Sequence, residues 1–219
     1  MPRLLFEKVG TSVWISHLDL MRLFQRSFKR AGLQLSHTQG YNPRPSVSIA
    51  LPLSVGVESC CELLDFELVG DKPSNDEVCE RLNRVLVDGV RVLSVYDNGA
   101  KIGNISYLHC MIKLCYDRQI DDSAANAVQN LFFATSLLVE KKTKNGVQEQ
   151  DIIPMIRSVN VDKTADNTLT LDAVICCQNP TLNPNQMVIA IEKYLPDLKP
   201  TCVKCRREEI YDKNKSVFR

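Results

Sequence analysis

The first sixty residues carry two kinds of hydrophobic periodicity. Residues 3–8 (RLLFEK) form a short apolar-rich run that is typical of a strand. Ser16 followed by Asp19 is a capping-box pattern that starts a helix, and Gly32 stands where a C-terminal cap is expected. The pattern predicts a helix over about 16–31. Its apolar face comprises Leu20, Leu23, Phe24, Ser27, Phe28 and Ala31.

The rest of the chain continues this alternation of strands and helices in two series. The first series adds strands at 47–53, 61–69 and 90–96 and a helix at 74–85, in the order βαββαβ. Residues 98–104 are predicted to be a linker. The second series comprises strands at 106–116, 136–142, 168–176 and 204–211, helices at 121–133 and 183–194, a turn at 144–146 and an ambiguous stretch at 151–159.

The repeated element order predicts an α+β protein made of two tandem ferredoxin-like domains. The domains are expected at residues 1–98 and 105–219, the second with one insertion. Each is expected to be a four-stranded antiparallel sheet with two helices on one face.

Composition and charge narrow the class of protein. Of the 219 residues, 44% are hydrophobic and 24% charged, as in an ordinary globular chain. No apolar run reaches 18 residues and the N-terminus does not resemble a signal peptide, so we expect a cytoplasmic protein without a membrane span. The net charge of +1 alone indicates no particular partner.

The charge is distributed unevenly along the chain. Residues 1–57 contain seven basic and two acidic residues, a net charge of +5, which leaves −4 for the other 162 residues. Four of the cations, Arg22, Arg26, Lys29 and Arg30, are predicted on the helix face opposite the apolar one, with no acid paired to them on that face.

The Pro-rich segment after this helix adds groups suited to RNA. Tyr41 could stack on a base, Asn42 could read a base edge and Arg44 could form a forked contact with a phosphate. Together with the four helix cations these residues predict a nucleic-acid-binding surface. A solvated surface helix and a structural Asn-Pro turn explain the same residues equally well.

Evidence for catalysis or metal binding is weaker. His17 and His37 could form a general acid–base pair, as a metal-free ribonuclease needs, or could be purely structural. Glu58, Glu62 and Asp65 could hold a metal or could line an exposed strand face and form salt bridges to the basic helix.

The nine cysteines are interpreted as small buried hydrophobes. Cys202 and Cys205 form the only C-x-x-C, without the second pair that a zinc site needs. We therefore predict no metal and no cofactor.

Four segments resemble a known bacterial family of unknown function. They are ISHLDLMRLFQR at 15–26, KRAGL at 29–33, QGYNPRP at 39–45 and ALPLSVG at 50–56, and the likeness continues weakly through Arg206 and Arg207 to Tyr211. This radical-SAM-associated domain occurs alone or fused behind a B12-binding radical SAM protein. The chain departs from the family pattern at His37, where Ser is usual, and at Arg44, where His is usual.

The resemblance implies a B12-binding radical SAM protein as a partner, and three functions follow. The first is a non-catalytic module that binds or presents RNA for modification or maturation. The second is an adaptor that docks on the radical SAM enzyme, and the third is a metal-free endoribonuclease. The third draws on a fold-level likeness to CRISPR repeat-processing endoribonucleases. The C-x₃-C-x₂-C cluster motif and the common catalytic motifs are missing from the sequence, which favours a non-enzymatic role.

Overall fold

The chain forms two compact units, Met1–Gly103 together with Arg219, and Asn104–Phe218. The computed structural model describes residues 1–70, 73–143 and 146–219. Two residues of the turn predicted at 144–146 therefore lie outside the described residues.

The first unit has the element order βαββαβ. Its elements are β1 (Arg3–Lys8), α1 (His17–Arg30), β2 (Val47–Ile49), β3 (Val57–Phe66), α2 (Asn75–Asn83) and β4 (Val90–Tyr96). A 3₁₀ helix at Gly10–Trp14 precedes α1. The strands lie in the order β4-β1-β3-β2, and every neighbouring pair is antiparallel.

The second unit repeats this order with an inserted hairpin. Its elements are β5 (Ile105–Cys115), α3 (Asp122–Leu131), β6 (Leu138–Thr143), β7 (Gly146–Asp151), β8 (Ile156–Ala165), β9 (Thr168–Cys176), α4 (Pro184–Tyr194) and β10 (Cys202–Asp212). Further 3₁₀ helices lie at Ile102–Asn104, Ile153–Met155 and Pro196–Leu198.

Within the second unit the strand order is β10-β5-β9-β8, again with antiparallel neighbours, while β6 and β7 pair with each other. The predicted α+β class with antiparallel strands is confirmed. The ambiguous stretch at 151–159 contains the start of β8, which lies at the end of this order and is mostly exposed. A strand with little buried surface has a weak hydrophobic pattern, which explains the ambiguity.

Helix α1 is held in place by its caps and by its aromatic face. The hydroxyl of Ser16 accepts a hydrogen bond from the Asp19 amide at 3.2 Å, and Gly32 ends the helix with a positive φ of 70°. Phe24 packs edge-on against Phe6 of β1, with ring centroids 4.7 Å apart. Of the predicted apolar face, Leu20, Phe24, Ser27 and Phe28 are buried and Leu23 and Ala31 are partly buried.

Gly89 fixes the 3₁₀ helix that leads into α1. Its carbonyl accepts a hydrogen bond from the Val9 amide at 2.7 Å, and the neighbouring Asp88 carbonyl accepts one from the Ser12 hydroxyl at 2.6 Å. Gly89 has a φ of +80°, and a Cβ at this position would lie 2.3 Å from the Val9 carbonyl oxygen. Only glycine fits this close backbone approach.

We expect Gly89→Ala to lower the free energy of unfolding by about 2–4 kcal/mol, because alanine adds both positive-φ strain and a backbone clash. Urea unfolding followed by circular dichroism measures the change. Gly103→Ala is the matched control, since a Cβ there meets nothing within 4 Å and the φ is not positive; it should shift stability by less than about 0.5 kcal/mol. Equal stability of the two variants would contradict this account.

Candidate nucleic-acid interface

The outward face of α1 carries all four predicted cations. Because Leu20, Phe24 and Phe28 point into the core, the residues on the opposite side of the helix face outward. The exposed cations are Arg22, Arg26, Lys29 and Arg30. The prediction that this face is basic and exposed agrees with the side-chain positions.

The prediction that none of these cations is paired is wrong at Arg22. Its Nη1 lies 2.9 Å from Oδ1 of Asp19, one helical turn earlier, and both side chains are exposed. Hydrogen bonds from the Ser16 hydroxyl and from Arg22 lower the pKa of Asp19, so the carboxylate stays charged. Within the described part of the chain, Arg26, Lys29 and Arg30 have no ion pair.

The segment 36–46 is a loop closed at its base by backbone pairing. The Ser46 amide donates to the Ser36 carbonyl at 2.8 Å, and the Thr38 amide donates to the Arg44 carbonyl at 2.8 Å. The Arg44 amide also donates to the Thr38 hydroxyl at 3.1 Å. The loop tip therefore extends from a fixed base into solvent.

The three predicted RNA-contacting residues of this loop are all exposed. Tyr41 at the tip is 103% exposed, and Asn42 and Arg44 are also exposed. A fully exposed tyrosine does not stabilise the folded chain by burial, although both of its ring faces remain available to a ligand.

The end of α1 and the start of the loop meet at a cleft. The cleft has a volume of about 510 Å³ and is lined by Lys29, by Gly32 to Leu35 and by His37 and Pro45. Lys29 of the cationic face and His37 and Pro45 of the Pro-rich segment therefore border one concave surface. A second cleft of about 410 Å³ lies nearer the start of α1 and is lined in part by Asp19, Arg22 and Arg26.

The two candidate catalytic histidines are far apart. His17 is the first residue of α1, whereas His37 lines the cleft beside Gln25 and Lys29, in the second half of the helix. The helix rises about 12 Å from His17 to Gln25, so the two rings are not placed as one general acid–base pair. Nδ1 of His17 is buried and has no hydrogen-bond partner among the described residues.

Two of the acids on β3, Asp65 and Glu58, bind groups outside the basic helix, which differs from the predicted salt bridges. Asp65 binds Arg3 of β1 through two hydrogen bonds of 2.6 and 3.1 Å, and Glu58 accepts the Gly10 amide at 3.2 Å. Glu62 is buried rather than exposed. Over the described residues, no three His, Cys, Asp or Glu side chains are placed to hold a metal ion.

Cys202 and Cys205 lie on opposite faces of β10. Cys205 is in register with buried Ile112, whereas Cys202 is exposed and in register with Cys115. Burial raises the pKa of the Cys205 thiol to about 11. Residues three apart on a strand point in opposite directions, so the two sulfurs cannot bind one ion together.

Trp14 is a surface residue that the sequence analysis missed. It is 72% exposed, at the end of the 3₁₀ helix, and Leu18 and Val55 are exposed as well. A Cβ at Gly56 would lie 3.6 Å from the Trp14 ring, so the ring lies over the turn next to Val55. The signal in the sequence is the position of Trp14, a large apolar residue that precedes α1 and is not part of its predicted apolar face.

Comparison with one solved structure shows a shared fold at low sequence identity. A chain in the "Crystal Structure of a Cbf5-Nop10-Gar1 Complex" is 7% identical with a TM-score of 0.51, and the match covers 95% of this chain and 48% of that one. The protein thus spans about half the length of that chain. An "Unknown Protein from Galdieria sulphuraria" is 9% identical, with a TM-score of 0.26 over 94% of this chain and 96% of that one.

No curated protein matches the sequence. Each helix within the described residues is too short or too polar to cross a bilayer.

Residues 2–184 match the family described as "Uncharacterized protein conserved in bacteria (DUF2344)". This match covers most of the chain, including α1 and the loop, and the protein therefore belongs to the DUF2344 family of uncharacterized bacterial proteins.

Proposed function

We propose that the protein is a cytoplasmic, non-catalytic module that binds RNA and presents it to a partner enzyme during RNA modification or maturation. The RNA lies along the exposed face of α1 and against the loop tip. Arg26, Lys29 and Arg30 contact phosphates, and Tyr41 stacks on a base.

The observation that carries this proposal is the shared cleft between Lys29 and His37. It places Lys29, which has no ion pair among the described residues, beside the base of a loop whose tyrosine is fully exposed. Cations that track a backbone, next to an aromatic ring that accepts any base, are the two parts of a single-strand binding surface. The separation of His17 from His37 favours binding over cleavage.

We further propose that both units are ferredoxin-like domains. The support is the strand order, which is β4-β1-β3-β2 in the first unit and β10-β5-β9-β8 in the second. In each unit the first and last strands in sequence are neighbours, and two helices lie between the strands along the chain. Such a unit supplies a rigid base for an exposed helix and loop.

An adaptor that docks on a B12-binding radical SAM protein is the second candidate function. The specific observation in its favour is Trp14, a large apolar side chain that is 72% exposed and lies over the turn next to Val55. Tryptophan is enriched among the residues that dominate binding energy at protein interfaces. The two functions are compatible, because an RNA-presenting module also needs a contact with its enzyme.

Replacing Arg26 and Lys29 by glutamine should weaken RNA binding and its salt dependence. For a single-stranded RNA, each lost phosphate contact lowers the log–log salt slope by about 0.7, so we expect a drop of about 1.4 and a Kd raised on the order of tenfold at ~0.1 M salt. Fluorescence anisotropy with a short labelled RNA of mixed sequence measures both.

The matched control is Arg91→Gln/Lys101→Gln, which removes the same charge from exposed sites outside α1 and the loop. Its Kd should stay within about threefold of the wild type. Equal effects of the two double variants, or no RNA binding by the wild type at low salt, would refute the proposed surface. RNA recovered intact after incubation in EDTA is expected of a non-catalytic module.

Tyr41→Ala should raise the Kd for single-stranded RNA about 5- to 100-fold, because a stacked base is worth about 1–3 kcal/mol. Tyr41→Phe keeps the ring and should bind within about threefold of the wild type. Neither change should alter thermal stability, since the side chain is not buried. The salt slope should also stay unchanged. Wild-type affinity of the alanine variant would show that Tyr41 does not contact RNA.

The adaptor hypothesis predicts that Trp14→Ala weakens a complex with a B12-binding radical SAM protein from the same bacterium by about 30-fold or more. Isothermal titration calorimetry with the two purified proteins measures this. Leu93→Ala, which removes an exposed apolar side chain from β4, is the control. A complex that tolerates Trp14→Ala, or no complex at all, would rule out this docking site.

A further inference from the structure

The sheet of the second unit has one buried face and one partly exposed face, which is called the exposed face below. On β5 the residues Leu108, Cys110, Ile112 and Leu114 are buried. The alternate positions Tyr107, His109 and Met111 are half-exposed and Lys113 is exposed. Strand residues alternate between faces, so these four side chains lie on the face opposite the core.

Two lysines lie directly opposite each other on this exposed face. Lys113 of β5 is in register with Lys204 of β10, and both are exposed. Like charges directly opposite each other on neighbouring strands destabilise the pair. Arg206, two residues further along β10, lies on the same face and contacts Glu208 at 3.2 Å.

The carboxylates near this pair are engaged elsewhere. Asp172 of β9 lies diagonally across from Lys113, but its Oδ1 is 2.8 Å from Nε2 of His109. Asp162 of β8 accepts a hydrogen bond from Asn160 at 2.6 Å. No ion pair involves Lys113 or Lys204 in residues 1–70, 73–143 and 146–219. A repulsive arrangement without a compensating contact is typical of a functional surface.

An exposed arginine of β8 lies over an aromatic ring near the start of β5. The guanidinium carbon of Arg157 lies over the Tyr107 ring, 5.2 Å from its centroid. The register of β8 shifts between Ile156 and Ser158, and this irregularity lies at Arg157. This distance is within the range of a cation–π interaction, and arginine guanidinium groups are among the groups on which RNA bases stack.

We propose that this exposed face is a second RNA-contacting surface. Lys113 and Lys204 bind phosphates of the sugar–phosphate backbone, and Arg157 on Tyr107 stacks against a base. The inference rests on the proposed function in that it takes RNA as the ligand. It adds a surface formed by residues that are far from α1 in the sequence.

The test compares Lys113→Gln/Lys204→Gln with the wild-type full-length chain, using the same labelled single-stranded RNA. We expect the log–log salt slope to fall by about 1.4 and the Kd to rise on the order of tenfold at ~0.1 M salt. The melting temperature should stay the same or rise, because the substitution removes a repulsive pair. Lys193→Gln/Lys199→Gln, which removes two exposed lysines from α4 and from the segment after it, is the control and should bind like the wild type.

Acetylation footprinting of the wild-type protein, with and without RNA, gives an independent measurement. We expect RNA to protect Lys113 and Lys204 from acetylation. A wild type that binds RNA while the Lys113/Lys204 variant binds equally well would overturn this inference and leave the α1 surface standing. Weakened binding of that variant with no effect of Arg26→Gln/Lys29→Gln would support the inference and overturn the α1 surface. No RNA binding by the wild type would overturn both.

Discussion

The rotation of α1 about its own axis decides which groups the first unit exposes. Leu20, Phe24 and Phe28 are buried, with Phe24 against Phe6 of β1 and Phe28 against Phe66 of β3. Burial of each such side chain is worth about 1.5–3 kcal/mol, whereas an unpaired cation in their place would cost several kcal/mol. Because successive residues are 100° apart, this packing places Arg26 and Lys29 outside. The basic face thus results from the core on the other side of the helix.

The same packing positions the loop. Gly32 ends α1, and the chain then inserts Leu33 and Leu35 into the core. Leu35 pairs with Leu68, and the Ser36 amide donates to the Glu67 carbonyl at 2.8 Å, so the loop begins from a strand-like anchor. The backbone pairing between Thr38 and Arg44 then closes the base of the loop, so the backbone fixes where the loop leaves the first unit.

Local signals allowed much of the first unit to be predicted. The Ser16 cap, the glycine after α1 and the spacing of its apolar residues all act within a few residues, and the structure has each of them. The Arg22 pairing with Asp19 was also local, at three residues' spacing. The capping pattern alone does not reveal this pair, because a carboxylate in the first turn can serve the cap, an ion pair or both.

Features that depend on strand register could not be predicted in this way. Lys113 and Lys204 are distant in sequence and meet only because β5 and β10 pair in one register, and a shift by one residue would place them on opposite faces. The Asp65 contact with Arg3 likewise needs the pairing of β1 with β3. The alternation of residues in one sequence indicates which side chains share a face of a strand, but not which strand pairs with it. Such clusters are therefore seen only in the folded chain.

Charge summed along the sequence differs from charge at the surface. Two of the seven cations in residues 1–57 are buried, Arg3 against Asp65 and Lys8 with its Nζ 2.8 Å from the Ile15 carbonyl. The acidic remainder of the chain, in turn, contains the exposed pair Lys113 and Lys204. Only a cation that is exposed and not already paired can replace counterions on a polyanion. Under the proposed function, affinity for RNA therefore depends on a few such positions, and neither the net charge of +1 nor the +5 segment measures it.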